Sequence, residues 1–187
     1  MMPAIERMFA RRGVGARDVG LVMVSVGPGG YTGLRIACAV GKMIAEVAGA
    51  KCVAVPTAMV VGRRVEARVW DVGGVVVALA SKGETAWVQR VERDGRVQDG
   101  RVVNASAMAG MVEAGVRTVV ADRFLPGSMR GECARLGVAV VAPVFDASAM
   151  FELGEARPRS IDAVELVPVY PREPDAVVLW REKKKKC

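Results

Sequence analysis

The stretch SVGPGGYTGLR, residues 25 to 35, joins a run of β-prone residues to a helical pattern through glycines 27, 29, 30 and 33 set around Pro28. A strand, a glycine loop and a helix N-terminus in that order can hold an anion, because the first N–H groups of a helix have no partner within it. Thr32 is placed to cap the helix start. Arg35, one turn in, is electrostatically unfavourable there unless it meets an anion or a carboxylate. Two familiar phosphate loops do not fit. A P-loop needs a Lys-Ser or Lys-Thr pair after its last glycine, and the dinucleotide fingerprint needs a third glycine where Thr32 stands. The alternative is structural: the glycines reach backbone angles that a tight strand-to-helix turn requires. Both readings stay open at the level of spacing.

The chain contains no histidine. That removes Ser-His-Asp and Cys-His nucleophiles, HExxH zinc sites and any imidazole acid or base. Carboxylates, lysines or bound Mg²⁺ would have to carry a reaction instead. The candidate carboxylates Asp71, Asp122 and Asp146 form no DxD or comparable pair, and each is read as a turn or cap residue. No metal site and no cofactor are expected. Cys38, Cys52, Cys133 and Cys187 are widely spaced, which argues for reduced core thiols rather than a disulfide frame or zinc ribbon.

With 52% hydrophobic and 25% charged residues among 187, the chain can bury a core. Val and Ala dominate and aromatics are only 5%, suiting valine-rich strands under alanine-rich helices. No apolar run reaches the roughly 18 residues of a membrane span, and the N-terminus lacks a signal-peptide pattern. A cytoplasmic protein is expected. The net charge of +7 is concentrated at one end, since the tail REKKKKC holds five cations against one anion. A broad nucleic-acid groove is therefore not indicated by charge; the lysine tail reads as a solvated end, with a direct RNA contact as the alternative.

The elements that must position the loop follow from periodicity. Ile5, Met8 and Phe9 share one face of a short helix over 2–12, and LVMVSV (21–26) is a buried strand. A helix over about 33–48, a strand at 52–55 and a short helix capped by Thr57 complete a first unit, 1–64. The second unit, 65–187, opens after a Gly-ended polar stretch. It runs as a β-meander (75–80, 85–92, then VQDGRVV), helix 106–114, strand 117–122, helix 128–136, strand 138–142 and helix 146–156. A short segment, IDAVELVPVYPRE, closes it. Alternation of this kind predicts an α/β fold.

The stretch VSVGPGGYTGLRIACAVGKMIAEVAGAKCVAVPTA resembles the segment of TsaB (YeaZ) proteins usually written GxGPGSfTGlRig, with its small-residue helix and following strand. Gly27, Pro28, Gly29, Tyr31, Thr32, Gly33, Leu34 and Arg35 fit that pattern. Weaker echoes are the first helix and the closing LVPVYPRE. The resemblance implies a two-lobed actin-like ATPase (ASKHA) fold. It also implies a non-catalytic scaffold that pairs with the catalytic TsaD subunit in making N6-threonylcarbamoyladenosine at position 37 of tRNA. A TsaE-like P-loop ATPase would complete the complex, and tRNA would be met only indirectly. A homodimer is a further partnership to consider. The family begins with a strand hairpin carrying an iDTS motif, whereas this chain starts at the helix that follows it, so the first lobe is expected to be truncated at its N-terminus. The family's DaR opening of the second lobe reads ASK, with Ala80 for Asp and Lys82 for Arg. These departures leave Gly27, Gly29, Gly30, Thr32, Gly33 and Arg35 as a vestigial nucleotide loop. The alternatives are a small ASKHA-type phosphotransferase or hydrolase and, less compatible with a histidine-free chain, a metallopeptidase.

The helix over 33–48 is apolar around most of its circumference, so it is expected to be covered on two sides. Ala37, Gly41 and Ala45 stand four apart as a smooth ridge, and the glycine costs about 1 kcal/mol of helix propensity. That ridge, with Ile44 and with Ile5, Met8 and Phe9 of the first helix, is the expected partner surface.

Overall fold

Strand β1 (Leu21–Gly27), helix α2 (Tyr31–Ala48) and strand β2 (Lys51–Pro56) form a parallel β-α-β unit, preceded by helix α1 (Met2–Arg12). The computed structural model describes residues 2–65, 74–113, 115–155, 159–173 and the single positions 177, 180, 181, 183 and 184. Asp71 and Cys187 lie outside the described residues, as does most of the expected boundary stretch. β1 and β2 carry apolar side chains on both faces. Val24, Val26 and Cys52 pack against Cys38 and Ala45 of α2, while Val53 and Val55 face the opposite layer. Side chains alternate along a strand, so a strand apolar at consecutive positions must be covered twice.

The second sheet has five strands in the order β5-β4-β3-β6-β7. β3 (Val75–Lys82), β4 (Thr85–Val91) and β5 (Arg101–Val103) form the antiparallel meander, and β6 (Thr118–Ala121) and β7 (Ala139–Val141) add in parallel. Helices α4 (Ala105–Glu113) and α5 (Gly127–Arg135) cover one face through Met108, Met129 and Cys133, all buried. Val75, Val77 and Leu79 turn to the other face and meet helix α3 (Thr57–Arg63). The expected elements are thus present, displaced by a residue or two at their ends, and the meander's third strand shortens to three residues.

α3 joins the two sheets. Ala58 and Val61 pack on the second sheet, Val60 on the first, and nothing from Thr57 to Gly62 except Met59 reaches solvent appreciably. The expected cap at Thr57 does not form. Pro56 is the cap position, and the buried Thr57 hydroxyl instead shares a 2.8 Å hydrogen bond with Ser25 Oγ of β1.

Toward the C-terminus the chain returns to the first sheet. Helix α6 (Ala147–Glu155) buries Ala149 against Val53, Val55 and Val60. Arg64 fastens it through Asp146 and Glu152, both at 2.8 Å, and through Ser148. Ile161 then bridges Cys52 by two backbone hydrogen bonds, and Leu166 is fully buried beneath α2. A two-stranded sheet has too little apolar area to close a core by itself. The late segments supply what is missing.

Candidate functional site

A cleft of about 810 Å³ opens between the lobes. The parallel strands β1, β2, β3 and β6 all end at or beside it, the side of an open α/β sheet where ligands bind. Ser25, the 28–30 loop, Tyr31, Leu34 and Thr57 form the first-lobe wall. Leu79, Ser81, Lys82, Asp122, Phe124 and Phe145 form the other. Residues Tyr170 to Glu173 run along its rim.

The glycine loop owes its shape to packing. Gly27 has φ 115°, and a Cβ there would come within 2.8 Å of the Val169 carbonyl oxygen and 2.9 Å of Leu34 Cδ1. The Val169 N–H donates to Val26 O at 2.8 Å, so the closing segment lies directly over this position. Gly27 is therefore required by the approach of two segments. Pro28, Gly29 and Gly30 line the cleft, whereas Thr32 and Gly33 are exposed on the first turn of α2. α2 begins at Tyr31 rather than near 33, with Gly30 as its cap residue and no side-chain cap, so Thr32 does not cap it.

Among the described residues Arg35 meets no carboxylate. Its guanidinium carbon lies 4.0 Å from the centre of the Tyr31 ring and 5.7 Å from that of Tyr170. Its Nε donates to Tyr170 Oη at 2.8 Å, and that hydrogen bond pushes its pKa further up. The two rings stand 5.1 Å apart. The group expected to reach a phosphate instead ties α2 to the closing segment. That segment also reaches the second lobe, where Arg172 Nη2 donates to Thr85 Oγ1 at 2.7 Å.

Of the remaining candidates, Lys82 and Asp122 line the cleft, and Asp122 Oδ1 accepts the Phe124 N–H at 2.9 Å in a turn. Asp146 is committed to Arg64 and Ser148 away from the cleft. Among the described residues, no three His, Cys, Asp or Glu side chains gather closely enough to hold a metal. Cys38, Cys52 and Cys133 are buried without disulfides, and burial pushes all three thiols up. Tyr170, Phe124 and Phe145 were not singled out from the sequence. They stand far from the loop along the chain, and only the first falls in a segment with any recognisable pattern.

The residues expected to form a partner surface fall into two groups. On α1 no residue is buried, Ile5 and Phe9 are half-covered, and Met8 is exposed. On α2 the small-residue ridge faces inward. A Cβ on Gly41 would lie 2.7 Å from Val24 Cγ2 and 3.2 Å from Leu166 Cδ2, Ala45 is buried, and Ala37 packs at the edge of the same core. Ile44 is half-buried. The outward face is a different stripe. Ile36, Met43 and Val47 are 45%, 46% and 59% exposed, with Val40 partly covered between them. Their spacing of four, three and four residues keeps them on one side of the helix.

Two lobes of mixed α/β structure, closing over a cleft at the strand ends, make this a protein of the actin-like ASKHA fold. The chain belongs to the TsaD family, tRNA N6-adenosine threonylcarbamoyltransferase, whose model matches residues 1–99. Two solved structures from Pseudomonas aeruginosa share the fold. One is an uncharacterized protein with similarity to peptidase YeaZ, 20% identical, with a TM-score of 0.69 over 91% of this chain and 82% of that one. The other is YeaZ, 18% identical, with a TM-score of 0.69 over 90% and 82%. No curated protein matches the sequence. Among the described residues no helix is long and apolar enough to cross a membrane.

Proposed function

We propose that this chain is a non-catalytic scaffold subunit for N6-threonylcarbamoyladenosine formation on tRNA, pairing in the cytoplasm with the catalytic, TsaD-like member of its family. The observation that carries the reading is the uncovered apolar surface of the first lobe: the stripe Ile36, Val40, Met43 and Val47 on α2, together with helix α1, which buries none of its own residues. A helix apolar on its outward side needs a cover, and a second α-helical pair is the natural one. A second copy of this chain would cover the same stripe, so homodimer and heterodimer would compete for it. A TsaE-like ATPase joins the pair in this reading. The glycine loop acts as a packed turn, in keeping with the engagement of Gly27 and Arg35 within the chain.

Size exclusion with light scattering tests this directly, using the chain mixed with the TsaD-like subunit of its own genome. A one-to-one complex that Met43→Glu with Val47→Glu abolishes is the expected outcome. Absence of any complex, or a complex indifferent to those changes, overturns the assignment. Threonylcarbamoyl transfer by this chain alone would overturn its non-catalytic part.

A further inference from the structure

We infer that the groove between α4 and the β4–β5 edge of the second lobe binds a small, soluble phosphate monoester carrying a short apolar group. The inference rests neither on the scaffold reading nor on the interlobe cleft.

Sheet register brings two arginines to one face. Arg90 pairs with Val76 of β3, and Arg101 of β5 pairs with Val88 of β4. Val76 and Val88 both point into the core beneath α4 and α5, and residues paired across strands point to the same side of a sheet. Both arginine stems therefore rise on the α4 side, at the rim of that core. They are diagonal neighbours, because Arg90 stands two positions along β4 from the residue that Arg101 faces. Between them and α4 lies a groove of about 550 Å³, a size ordinary for small-ligand sites. Arg90, Arg101 and Gln98 form its polar part, and Val103, Gly110 and Met111 its apolar part. Gly110 keeps it open, since a Cβ there would meet nothing within 4 Å.

Charge is the second observation. Among the described residues no carboxylate lines this groove, and neither arginine has an ion-pair partner. Arg90 Nε is buried without a hydrogen-bond partner. A buried donor left unpaired is costly, more so on a charged group, and a like charge beside it adds to the cost. Glu92, two positions beyond Arg90, does not relieve it. That carboxylate is committed to Arg96 at 2.9 Å and accepts Gln98 Nε2 at 3.3 Å. Asp99 is exposed and outside the described lining. Two unpaired guanidiniums on one wall are best matched by a dianion. A phosphate monoester carries about −1.5 to −2 charge at neutral pH and presents three acceptor oxygens, whereas a carboxylate brings a single charge. The apolar side of the groove, with Val103 and Met111, then has room for a short hydrocarbon body on the ester.

The test is titration calorimetry of the full chain with hexyl phosphate, inorganic phosphate and hexanoate. Hexyl phosphate should bind about tenfold or more tighter than inorganic phosphate, because burying two methylenes is worth about that factor. It should also exceed hexanoate by about tenfold or more, through the second charge. Arg90→Gln with Arg101→Gln should weaken hexyl phosphate by about tenfold or more. Gly110→Leu fills the open side, so it should bring hexyl phosphate down to the level of inorganic phosphate and leave inorganic phosphate itself unchanged. Unfolding midpoints check that both variants stay folded. No binding of hexyl phosphate overturns the inference, as does equal affinity for hexanoate or for inorganic phosphate. Affinity that survives the arginine changes, or is indifferent to Gly110→Leu, overturns it too. Binding only to vesicles of phosphatidic acid in phosphatidylcholine, with none to hexyl phosphate in solution, would make the ligand a lipid surface and overturn the soluble monoester. None of these variants touches the α2 stripe, so failure here leaves the scaffold reading standing.

Discussion

The two lobes contain the same β-α-β unit and treat it differently. In the second, β6–α5–β7 sits beside an antiparallel meander, and α4 packs alongside α5, so that Met129 has no exposure at all. In the first, β1–α2–β2 stands as two strands, and α1 buries nothing. The cover comes from elsewhere in the chain, through α3, α6 and Leu166, and it reaches only one side of α2. The second lobe's sheet is covered on one face by its own helices and on the other by α3. The first lobe keeps an apolar helix face turned outward.

The sharpest way to break the comparison is to truncate the same residue type in each lobe. Met129→Ala should cost about 2 to 5 kcal/mol in denaturant unfolding, as core methionines do. Met43→Ala should stay within about 0.5 kcal/mol in the isolated chain. Similar losses at both positions would mean that α2 is covered after all.

Gly41→Leu separates the two sides of α2. The side chain would be driven into Val24 and Leu166, so a loss of about 1 to 3 kcal/mol is expected from overpacking. A variant as stable as the parent would put the ridge back on the outside. The paired outward substitutions, Met43→Glu with Val47→Glu, should instead leave unfolding unchanged and remove about 2 kcal/mol or more of pairing energy, read by titration calorimetry.

The smallest effect concerns the clamp between α3 and α6. Asp146 titrates below its ordinary value because Ser148 and then Arg64 favour its anion, and Glu152 does so through Arg64 and Arg63. The folded chain therefore binds these protons less readily than the unfolded one. The clamp's contribution is complete above the unfolded carboxylate values of about 4, and it falls away as pH drops through the lower folded ones. Thermal midpoints should decline below about pH 4, and Arg64→Gln should flatten that decline. An unchanged profile would show the clamp to be energetically silent, as many exposed ion pairs are.

Much of the frame is legible in the sequence. Residues 21–26 are apolar but for Ser25 and 75–79 are apolar throughout, and that pattern marks strands covered on both faces. The helix over 31–48 was legible as a helix, but not its orientation. A helix apolar around most of its circumference carries no phase, so the inward side was assigned to the small-residue ridge only by Val24 and Leu166. Caps misled for a related reason. Thr32 and Thr57 suit a helix start by type, yet Thr57 is recruited by Ser25, thirty-two residues earlier.

The sequence by itself determined the element order, the glycine turn, the family likeness and the exclusion of imidazole chemistry, since these depend on residue type and local spacing. Only the tertiary structure decided what Arg35 does, because its partner Tyr170 lies 135 residues away. It also decided that Phe124 and Phe145 share a cleft with the glycine loop, and that α6 and Leu166 belong to the first lobe's core. Local periodicity records that a residue is to be buried. Which distant surface buries it is settled when the chain closes on itself.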